Sequence, residues 1–201
     1  MKITPMSALP SYNRIAGIFP IAGVTLLVGG VGCGKTYSTM KALIQANEKP
    51  YWFNMDHVNL SPDFSDTDFN MCVDNVDITD FIQSQNPQVP VDMKVLVIDT
   101  YTQLNILIED PVAIATGLDR IARKGVAVIV LAHPEAYQNK TTVVFKENRF
   151  LMGNCHEYCE LVHLPPKAGT KLKPSTKDNY QLTLVKGRMY QGINPIDNWM
   201  R

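Results

Sequence analysis

Cysteine is scarce in this 201-residue sequence, which contains four, at positions 33, 72, 155 and 159. Small secreted domains that depend on disulfides carry a denser set of thiols, together with a secretory signal, which we do not find here. We therefore expect reduced thiols and a cytoplasmic protein.

Net charge is absent as well, because 19 Lys and Arg residues balance 19 Asp and Glu residues. A protein that coats nucleic acid by charge alone carries a large excess of cations, so that class is excluded for the chain as a whole. Hydrophobic residues make up 45% of the chain and charged residues 19%, which excludes a disordered or collagen-like polymer. The length predicts one domain over residues 1–201 that buries a core without disulfides or metals.

Long apolar runs are also missing. Residues 15–32 carry no charge, but Pro20, Thr25 and five glycines interrupt them. A helix needs roughly 20 predominantly apolar residues to cross a bilayer, and the dense apolar run here covers only residues 24–28. The sequence therefore predicts a buried strand that enters a glycine-rich loop, and no membrane span.

The charges are unevenly distributed along the chain. Residues 1–139 contain nine cations and fourteen anions, whereas residues 140–201 contain ten cations and five anions. No Lys or Arg occurs between Lys49 and Lys94, while seven aspartates lie within residues 56–80. One interpretation is a solvated acidic face and a solvated basic tail. The other is a dipolar subunit whose basic third meets a neighbouring subunit or a phosphate chain.

Short apolar runs alternate with helical stretches, the pattern of a mainly parallel sheet with crossover helices. Three of the runs are almost entirely apolar, as is typical of strands covered on both faces. One helix is predicted over residues 37–46 and another from Pro111 to about Arg123, with Asp110 as its N-cap. Loops are predicted over residues 83–91 and 165–178, and strands over residues 24–28, 51–54, 95–99, 126–132, 159–164 and 180–186.

The most specific motif lies between the first predicted strand and the first predicted helix. It fits G-x-x-x-x-G-K-[ST], in which glycines let successive backbone N–H groups surround a β-phosphate at a helix N-terminus. Lys35 then reaches the β- and γ-phosphates of ATP, and the Thr36 hydroxyl ligates Mg²⁺. A glycine-rich turn without this function is the alternative. The predicted nucleotide-binding residues of the motif are Gly29, Gly30, Val31, Gly32, Cys33, Gly34, Lys35 and Thr36.

Two aspartates are candidates for the metal and for the catalytic water. Asp99 ends a buried strand, and ligands of open α/β sheets bind at the carboxyl ends of the strands, so we expect Asp99 to orient Mg²⁺. Thr100 follows it, where many P-loop ATPases have a water-activating Glu. The substitute is Asp56, which follows the second predicted strand and could polarise the attacking water. A solvent-exposed loop aspartate is the other interpretation of Asp56.

These positions resemble the RecA-like P-loop ATPases, in particular the branch of hexameric helicases and the packaging motors of double-stranded RNA phages. The resemblance covers residues 20–192 and implies a mainly parallel twisted sheet with flanking helices and a C-terminal β-hairpin. It implies that Asp56 is the catalytic carboxylate, although Glu is usual at that place. It also implies that His133, after the strand predicted over residues 126–132, senses the γ-phosphate. A capping or core histidine is the alternative.

A strand that ends in Lys-x-Arg, at Lys186 and Arg188, precedes a glycine-containing hairpin near the C-terminus. A similar element in this family reaches into the nucleotide of the neighbouring subunit. By this resemblance Arg188 is an arginine finger, which stabilises charge on the transferred phosphoryl group, and Lys186 is its companion. The resemblance then implies active sites between subunits of a hexameric ring. A basic hairpin tip on the surface is the alternative.

Cations and aromatic residues are mixed in the segment after His133, over residues 137–149. Such a mix suits a single strand of nucleic acid, whose phosphates attract cations and whose bases stack on rings. It suits an ordinary amphipathic hairpin equally well. Lysines within residues 167–177 add at most non-specific phosphate affinity. The candidate nucleic-acid contacts are Lys140, Lys146 and Arg149.

The cysteines leave one metal alternative open. Cys155, Cys159 and His163 follow one another at four-residue spacings. Zinc sites more often have two cysteine pairs, each with members two to four residues apart. A strand over these residues is therefore favoured over a zinc site.

The patterns together favour a Mg²⁺-dependent ATPase that moves along or remodels single-stranded DNA or RNA as a ring, in a bacterial or phage-infected cell. One alternative is a phage-type recombination or single-strand annealing ATPase that forms filaments. Another is an ATP-binding switch that acts on a protein partner, which the zero net charge permits. Stimulation of hydrolysis by a polynucleotide discriminates the first two functions from the third.

Overall fold

The computed structural model describes residues 14–30, 32–57, 59, 61–133, 151, 154–163, 180–187 and 196–197, with the backbone alone for residues 162–163, 180–187 and 196–197. The helices in this part of the chain are α1 (Lys35–Gln45), α2 (Asn75–Gln83), α3 (Tyr101–Ile108) and α4 (Pro111–Arg123). The strands are β1 (Arg14–Ile15), β2 (Phe19–Pro20), β3 (Val24–Gly29), β4 (Tyr51–Asn54), β5 (Asn70–Cys72), β6 (Val95–Asp99), β7 (Ala127–Ala132), β8 (Glu157–His163), β9 (Tyr180–Gly187) and β10 (Ile196–Asp197).

Eight of these strands form one sheet, in the order β10-β9-β8-β3-β7-β6-β4-β5. The six strands from β8 to β5 are parallel to their neighbours. β9 is antiparallel to both β8 and β10. The predicted mainly parallel α/β sheet is therefore confirmed, and the pair β9–β10 agrees with the predicted C-terminal hairpin. Residues 188–195, which connect that pair, lie outside the described part.

Both faces of the sheet are covered, which explains why β3, β6 and β7 are buried at every position. Alternate residues of a strand point to opposite faces. In β6, Leu96 and Ile98 belong to the core shared with α2, α3 and α4, whereas Val95 and Val97 belong to the core shared with α1. Asp99 continues the second series, so its carboxylate emerges on the α1 side at the carboxyl end of the sheet.

The predicted strands and helices agree well with those described. β4, β6 and α4 have the predicted bounds, and the Asp110 carboxylate accepts hydrogen bonds from the backbone N–H groups of Val112 and Ala113. The ends of β3, β7, β8 and β9 differ by one or two residues from the prediction. α1 starts at Lys35 rather than at residue 37, because the turn ends at Gly34.

The patterns above do not indicate α2, α3, β5 or the small β1–β2 sheet. α2 begins after Asp74, whose carboxylate accepts hydrogen bonds from the N–H groups of Val76 and Asp77. Its apolar face consists of Ile78 and Ile82, both fully buried. The loop predicted over residues 83–91 is corrected at its first residue, which the N-cap and this apolar face keep within α2.

The uncharged stretch of residues 15–32 contributes to β1, β2 and β3 and to the turns between them. The apolar residues of β3 are all buried, and Ile15, Ile18 and Phe19 are buried as well. Among the helices that the structure describes, none has the length and apolar character required to cross a bilayer.

α4 packs closely on α2 at Gly117, where a side chain would meet the neighbouring backbone. A Cβ atom built on Gly117 lies 2.1 Å from the carbonyl oxygen of Ile82 and 2.9 Å from its Cγ2. Because the obstacle is backbone, rotation of a side chain cannot relieve the overlap. The absence of a side chain at Gly117 therefore sets the distance between the two helices.

We predict that Gly117→Ala destabilises the protein, although alanine favours a helix interior by about 1 kcal/mol over glycine. The overlap with Ile82 outweighs that gain, and a net loss of about 1–3 kcal/mol is expected. Urea unfolding followed by circular dichroism measures it. Thr116→Ala, at an exposed neighbouring position in α4, is the control and should change stability by no more than about 0.5 kcal/mol. Equal stability of the two variants would contradict the prediction.

Candidate active site

The glycine-rich loop connects β3 to α1 at the carboxyl end of the sheet. β3 lies between β7 and β8, so the loop opens near the middle of that edge. Gly34, the N-cap of α1, has φ 81° and ψ 20°, a left-handed conformation that side chains disfavour. The Cys33 N–H donates to the Gly30 carbonyl at 3.2 Å, and the Ser38 N–H to the Gly34 carbonyl at 2.8 Å. Val31 lies outside the described residues.

The N-terminus of α1 lacks a side-chain cap, because Gly34 has no side chain. α2 and α4 differ in this respect, since Asp74 and Asp110 accept hydrogen bonds from their first N–H groups. The first N–H groups of a helix have no partner within the helix and carry a partial positive charge. At α1 this end is suited to an anion such as a phosphate.

Lys35 is folded back onto the loop that precedes it. Its Nζ donates to the carbonyl oxygens of Gly29 at 2.7 Å and of Gly30 at 3.1 Å. It also lies 3.2 Å from His133 Nδ1, and only 5% of the residue is exposed. Burial lowers the pKa of Lys35, and the nearby Cys33 and Asp99 partly oppose this effect.

Thr36 and Asp99 form the part of the site that is suited to a metal ion. The Thr36 hydroxyl donates to Asp99 Oδ2 at 2.6 Å, across the gap between α1 and β6. Burial raises the pKa of Asp99, and the negative charge of Asp56 adds to this, whereas the Thr36 hydrogen bond and Lys35 act in the opposite direction. A hydroxyl and a carboxylate oxygen are the hard ligands that Mg²⁺ prefers.

Magnesium commonly binds through one or two protein ligands, substrate phosphates and water. The residues described agree with that arrangement, since they include no cluster of three or more His, Cys, Asp or Glu side chains that could hold a metal by themselves. A metal at Thr36 and Asp99 would therefore complete its coordination with phosphate oxygens and water.

Asp56 lies directly beyond β4, next to the end of β6. Its Oδ2 accepts a hydrogen bond from the Thr100 hydroxyl at 3.1 Å. Thr100 is the N-cap of α3, but its side chain does not cap that helix. Asp56 is exposed, and its charge acts on both Asp99 and His133. It therefore lies close to the phosphate loop, with Thr100 fixing its carboxylate.

His133 follows β7, the strand between β3 and β6, and this position brings its ring to Lys35. Burial and the Lys35 charge lower the pKa of His133, while Asp56 opposes them. His133 Nδ1 can accept a hydrogen bond from the Lys35 ammonium when the proton of the neutral ring is on Nε2.

Other predicted site residues have no described side chain. Lys186 belongs to β9, where its backbone is opposite Tyr158 of β8; Tyr158 in turn is opposite Leu26 of β3. The predicted residues Lys140, Lys146, Arg149 and Arg188 lie outside the described residues.

The alternative zinc site receives no support from the described side chains. Cys155 and Cys159 are buried free thiols. Burial, aided by the charges of Glu157 and Cys155, raises the pKa of Cys159 to about 12. The described residues include no group of three or more His, Cys, Asp or Glu side chains that could hold a metal ion here. The side chain of His163 is not described.

Two contacts in the site do not follow from the sequence patterns: Lys35 with His133, and Thr100 with Asp56. The strand order produces both, because it places β7 beside β3 and β4 beside β6. The only local signal for the second contact is a hydroxyl-bearing residue directly after Asp99.

No protein-family model matches the sequence, and no curated protein matches it. Its fold is similar to the solved crystal structure of the RadB recombinase, with a TM-score of 0.62 and 18% sequence identity. The alignment covers 89% of this chain and 87% of the recombinase chain. This similarity confirms the RecA-like α/β fold. At this identity it concerns the fold alone and does not distinguish the helicase and packaging-motor branch.

We predict that Thr36→Ala removes the contribution of Mg²⁺ to nucleotide binding, because it deletes the hydroxyl that contacts Asp99. Binding of a fluorescent ATP analogue, titrated with and without Mg²⁺, measures the effect. The unmodified chain should bind at least about 10-fold more tightly with Mg²⁺, and Thr36→Ala should lose that difference. Thr36→Ser retains the hydroxyl and is the control. An undiminished Mg²⁺ effect in Thr36→Ala would show that the metal is held elsewhere.

Proposed function

We propose that the protein is a P-loop ATPase that hydrolyses ATP with Mg²⁺. The observation that carries this proposal is the meeting of Lys35, Thr36, Asp99 and His133 at the carboxyl edge of the sheet, beside the uncapped end of α1. A cation, a metal-binding pair and free helix N–H groups together match a nucleoside triphosphate. We assign the nucleotide site to a single RecA-like domain over residues 1–201.

In this proposal Lys35 leaves the Gly29 and Gly30 carbonyls and contacts the β- and γ-phosphates. The N–H groups of the loop and of α1 surround the β-phosphate. Thr36 and Asp99 hold Mg²⁺, which when bound neutralises charge that develops on the phosphate oxygens.

Asp56 is the proposed general base. Its Oδ2 is engaged by the Thr100 hydroxyl, which leaves Oδ1 to accept a proton from water as the water oxygen attacks the γ-phosphorus and the bond to ADP breaks. Aspartate is one methylene shorter than glutamate, and Thr100 compensates by fixing the direction of the carboxylate. Thr100 thus acts as a positioning residue.

His133 is the proposed sensor of the γ-phosphate. Its Nδ1 contacts the same Nζ that the phosphates attract. When Lys35 moves to the phosphates, His133 loses this partner and becomes available to the γ-phosphate. Because His133 directly precedes the segment of residues 137–149, a change of partner at its ring is well placed to affect the proposed nucleic-acid contacts Lys140, Lys146 and Arg149.

We propose single-stranded nucleic acid as the polymer partner and self-association as the mode of assembly. The similarity to a protein described as a recombinase favours recombination or strand annealing at least as much as translocation by a hexameric helicase or a phage packaging motor. A switch that acts on a protein partner is the remaining candidate. The polymer test below separates it from the other two.

Arg188 and Lys186 are proposed to act on the nucleotide of a neighbouring subunit. The register of the sheet supports action on a neighbour's nucleotide rather than on the nucleotide of the same chain. Lys186 pairs with Tyr158, which pairs with Leu26, the third residue of β3, whereas the phosphate loop follows the carboxyl end of that strand. The backbone at Lys186 is therefore level with the middle of β3 and not with the end that carries the nucleotide site of its own chain.

We predict steady-state ATP hydrolysis that single-stranded DNA or RNA stimulates several-fold at low salt, where phosphate contacts are strongest. Lys35→Ala should lower turnover at least about 100-fold, because it removes charge stabilisation from the transferred phosphoryl group. Lys49→Ala, an exposed lysine beyond α1, is the matched control. Full activity in Lys35→Ala would overturn the ATPase proposal. Clear turnover that neither polymer changes would instead favour the protein-partner switch.

We further predict that Asp56→Asn lowers kcat about 100- to 10,000-fold, the range of general-base catalysis, while the Kd for ATP changes little. Asn retains the size of the side chain and its acceptor for Thr100 but cannot take a proton. Glu109→Gln, at an exposed position at the end of α3, controls for loss of a negative charge. Unchanged kcat in Asp56→Asn would assign the base to another residue.

A further inference from the structure

One edge of the sheet is rich in aspartate. This acidic edge consists of β5, residues 61–69 before it and residues 73–80 after it. Its aspartates are exposed, apart from the half-buried Asp68. No Lys or Arg occurs between Lys49 and Lys94, so the sequence supplies no local cation to balance them. Asp66, Asp77 and Asp80 form no ion pair with any residue that the structure describes.

The acidic edge also exposes apolar side chains. Met71 and Val73 are 49% and 44% exposed, and Val76, in the first turn of α2, is 67% exposed. β5 is only three residues long and pairs on one side with β4. An exposed apolar strip bordered by charges is typical of a protein-binding surface.

A cleft of about 360 Å³ opens beside this strip, with Met71, Val73 and Asp66 in its lining. Trp52 also lines the cleft and is fully buried, and its Nε1 donor has no hydrogen-bond partner among the described residues. A buried indole N–H usually finds an acceptor. Because the indole is closed off from solvent, the groups that an incoming basic segment would meet in the cleft are Asp66, Met71 and Val73.

Phe64 forms another wall of this cleft. Its ring lies against that of Tyr37, with the two centroids 5.2 Å apart. Tyr37 is next to Thr36 in the first turn of α1, so the cleft is in direct contact with the element that carries the proposed nucleotide site.

The strands that residues 140–201 supply lie at the opposite end of the sheet. Residues 140–201, with ten cations and five anions, supply β8, β9 and β10, whereas β5 is the last strand at the other end of the sheet. Seven strand spacings separate β10 from β5, about 33 Å. The strands of the basic part therefore cannot cover the acidic edge of their own chain, but those of a second copy can.

We propose that the acidic edge of one subunit is the docking surface for the basic segment of a second copy, the lysines within residues 167–177. This inference rests on the self-association proposed above and names its two surfaces. Because the surfaces differ and lie at opposite ends of one sheet, the contact is head-to-tail, and such contacts generate rings or filaments. A polynucleotide is excluded as the occupant, because its phosphates would face aspartates.

The docking surface borders the proposed catalytic base. Asp56 follows β4, the strand next to β5, at the carboxyl end of the sheet. Cations of a neighbour docked on the acidic edge would therefore lie close to the part of the site that is proposed to bind the γ-phosphate. This is the place at which Arg188 and Lys186 of another subunit are proposed to act.

Sedimentation velocity of the full chain, in about 0.1 M and about 1 M salt, tests the proposal, since screening weakens contacts between exposed charges. The acidic-edge variant is Asp66→Lys with Asp77→Lys. The matched control, Glu48→Lys with Glu109→Lys, makes the same change of charge elsewhere. We expect association that high salt weakens, a Kd about 10-fold or more higher for the acidic-edge variant, and a Kd close to that of the unmodified chain for the control.

A mixing experiment tests whether the acidic edge of one subunit binds the basic segment of the next. It also shows that the variants fold. The basic-segment variant carries Lys167→Glu, Lys171→Glu, Lys173→Glu and Lys177→Glu. Each variant should associate weakly alone, because it lacks one of the two surfaces. Mixed, they retain one intact surface each and should form a one-to-one complex that grows no further.

Three results would overturn the proposal. If the chain associates and the acidic-edge variant associates equally well, self-association stands but its surface lies elsewhere. If the mixed variants form no complex, the two surfaces are not partners. If the unmodified chain is a monomer in low salt at all concentrations, both the surface and the proposed self-association fail, whereas ATP hydrolysis is judged separately by Lys35→Ala.

Discussion

The buried ammonium group of Lys35 is the constraint on which the candidate site depends. Removal of a charge from water costs several kcal/mol unless partners replace the lost hydration. Two backbone carbonyls and one imidazole nitrogen satisfy its donors, but all three are neutral. Among the described residues, no carboxylate lies within hydrogen-bond distance of Lys35 Nζ, and the adjacent end of α1 has no side-chain cap. This is the arrangement on which the proposed polyphosphate site rests.

The sequence is sufficient to predict the parts of the fold that local chemistry determines. β7 and the first four residues of β6 are apolar because both faces are covered, and α4 has its aspartate cap and its proline at the first position. The glycine loop and Asp99 follow from the spacing of a phosphate motif after a buried strand. In each case a short segment contains the whole physical reason for its structure.

The remaining features depend on neighbours that are distant in sequence. β5 has three residues, none fully buried, so it shows no apolar pattern. α3 contains mostly apolar residues, yet Ile106 and Leu107 are exposed, which hides its helical periodicity. α2 does have a local signal, since Asp74 precedes buried Ile78 and Ile82 at helical spacing, but the surrounding aspartates conceal it. The contact of Lys35 with His133 requires the order of β3 and β7, which spacing cannot give.

The ring contact between Tyr37 and Phe64 joins the start of α1 to the wall of the cleft at the acidic edge. A displacement of α1 on one side of this contact changes the packing on the other. Thermodynamic linkage then imposes reciprocity. If the proposed neighbour changes nucleotide affinity by some factor, the nucleotide changes the affinity between subunits by the same factor. In the proposed assembly, the stability of the subunit contact and the occupancy of the nucleotide sites would therefore form one coupled equilibrium.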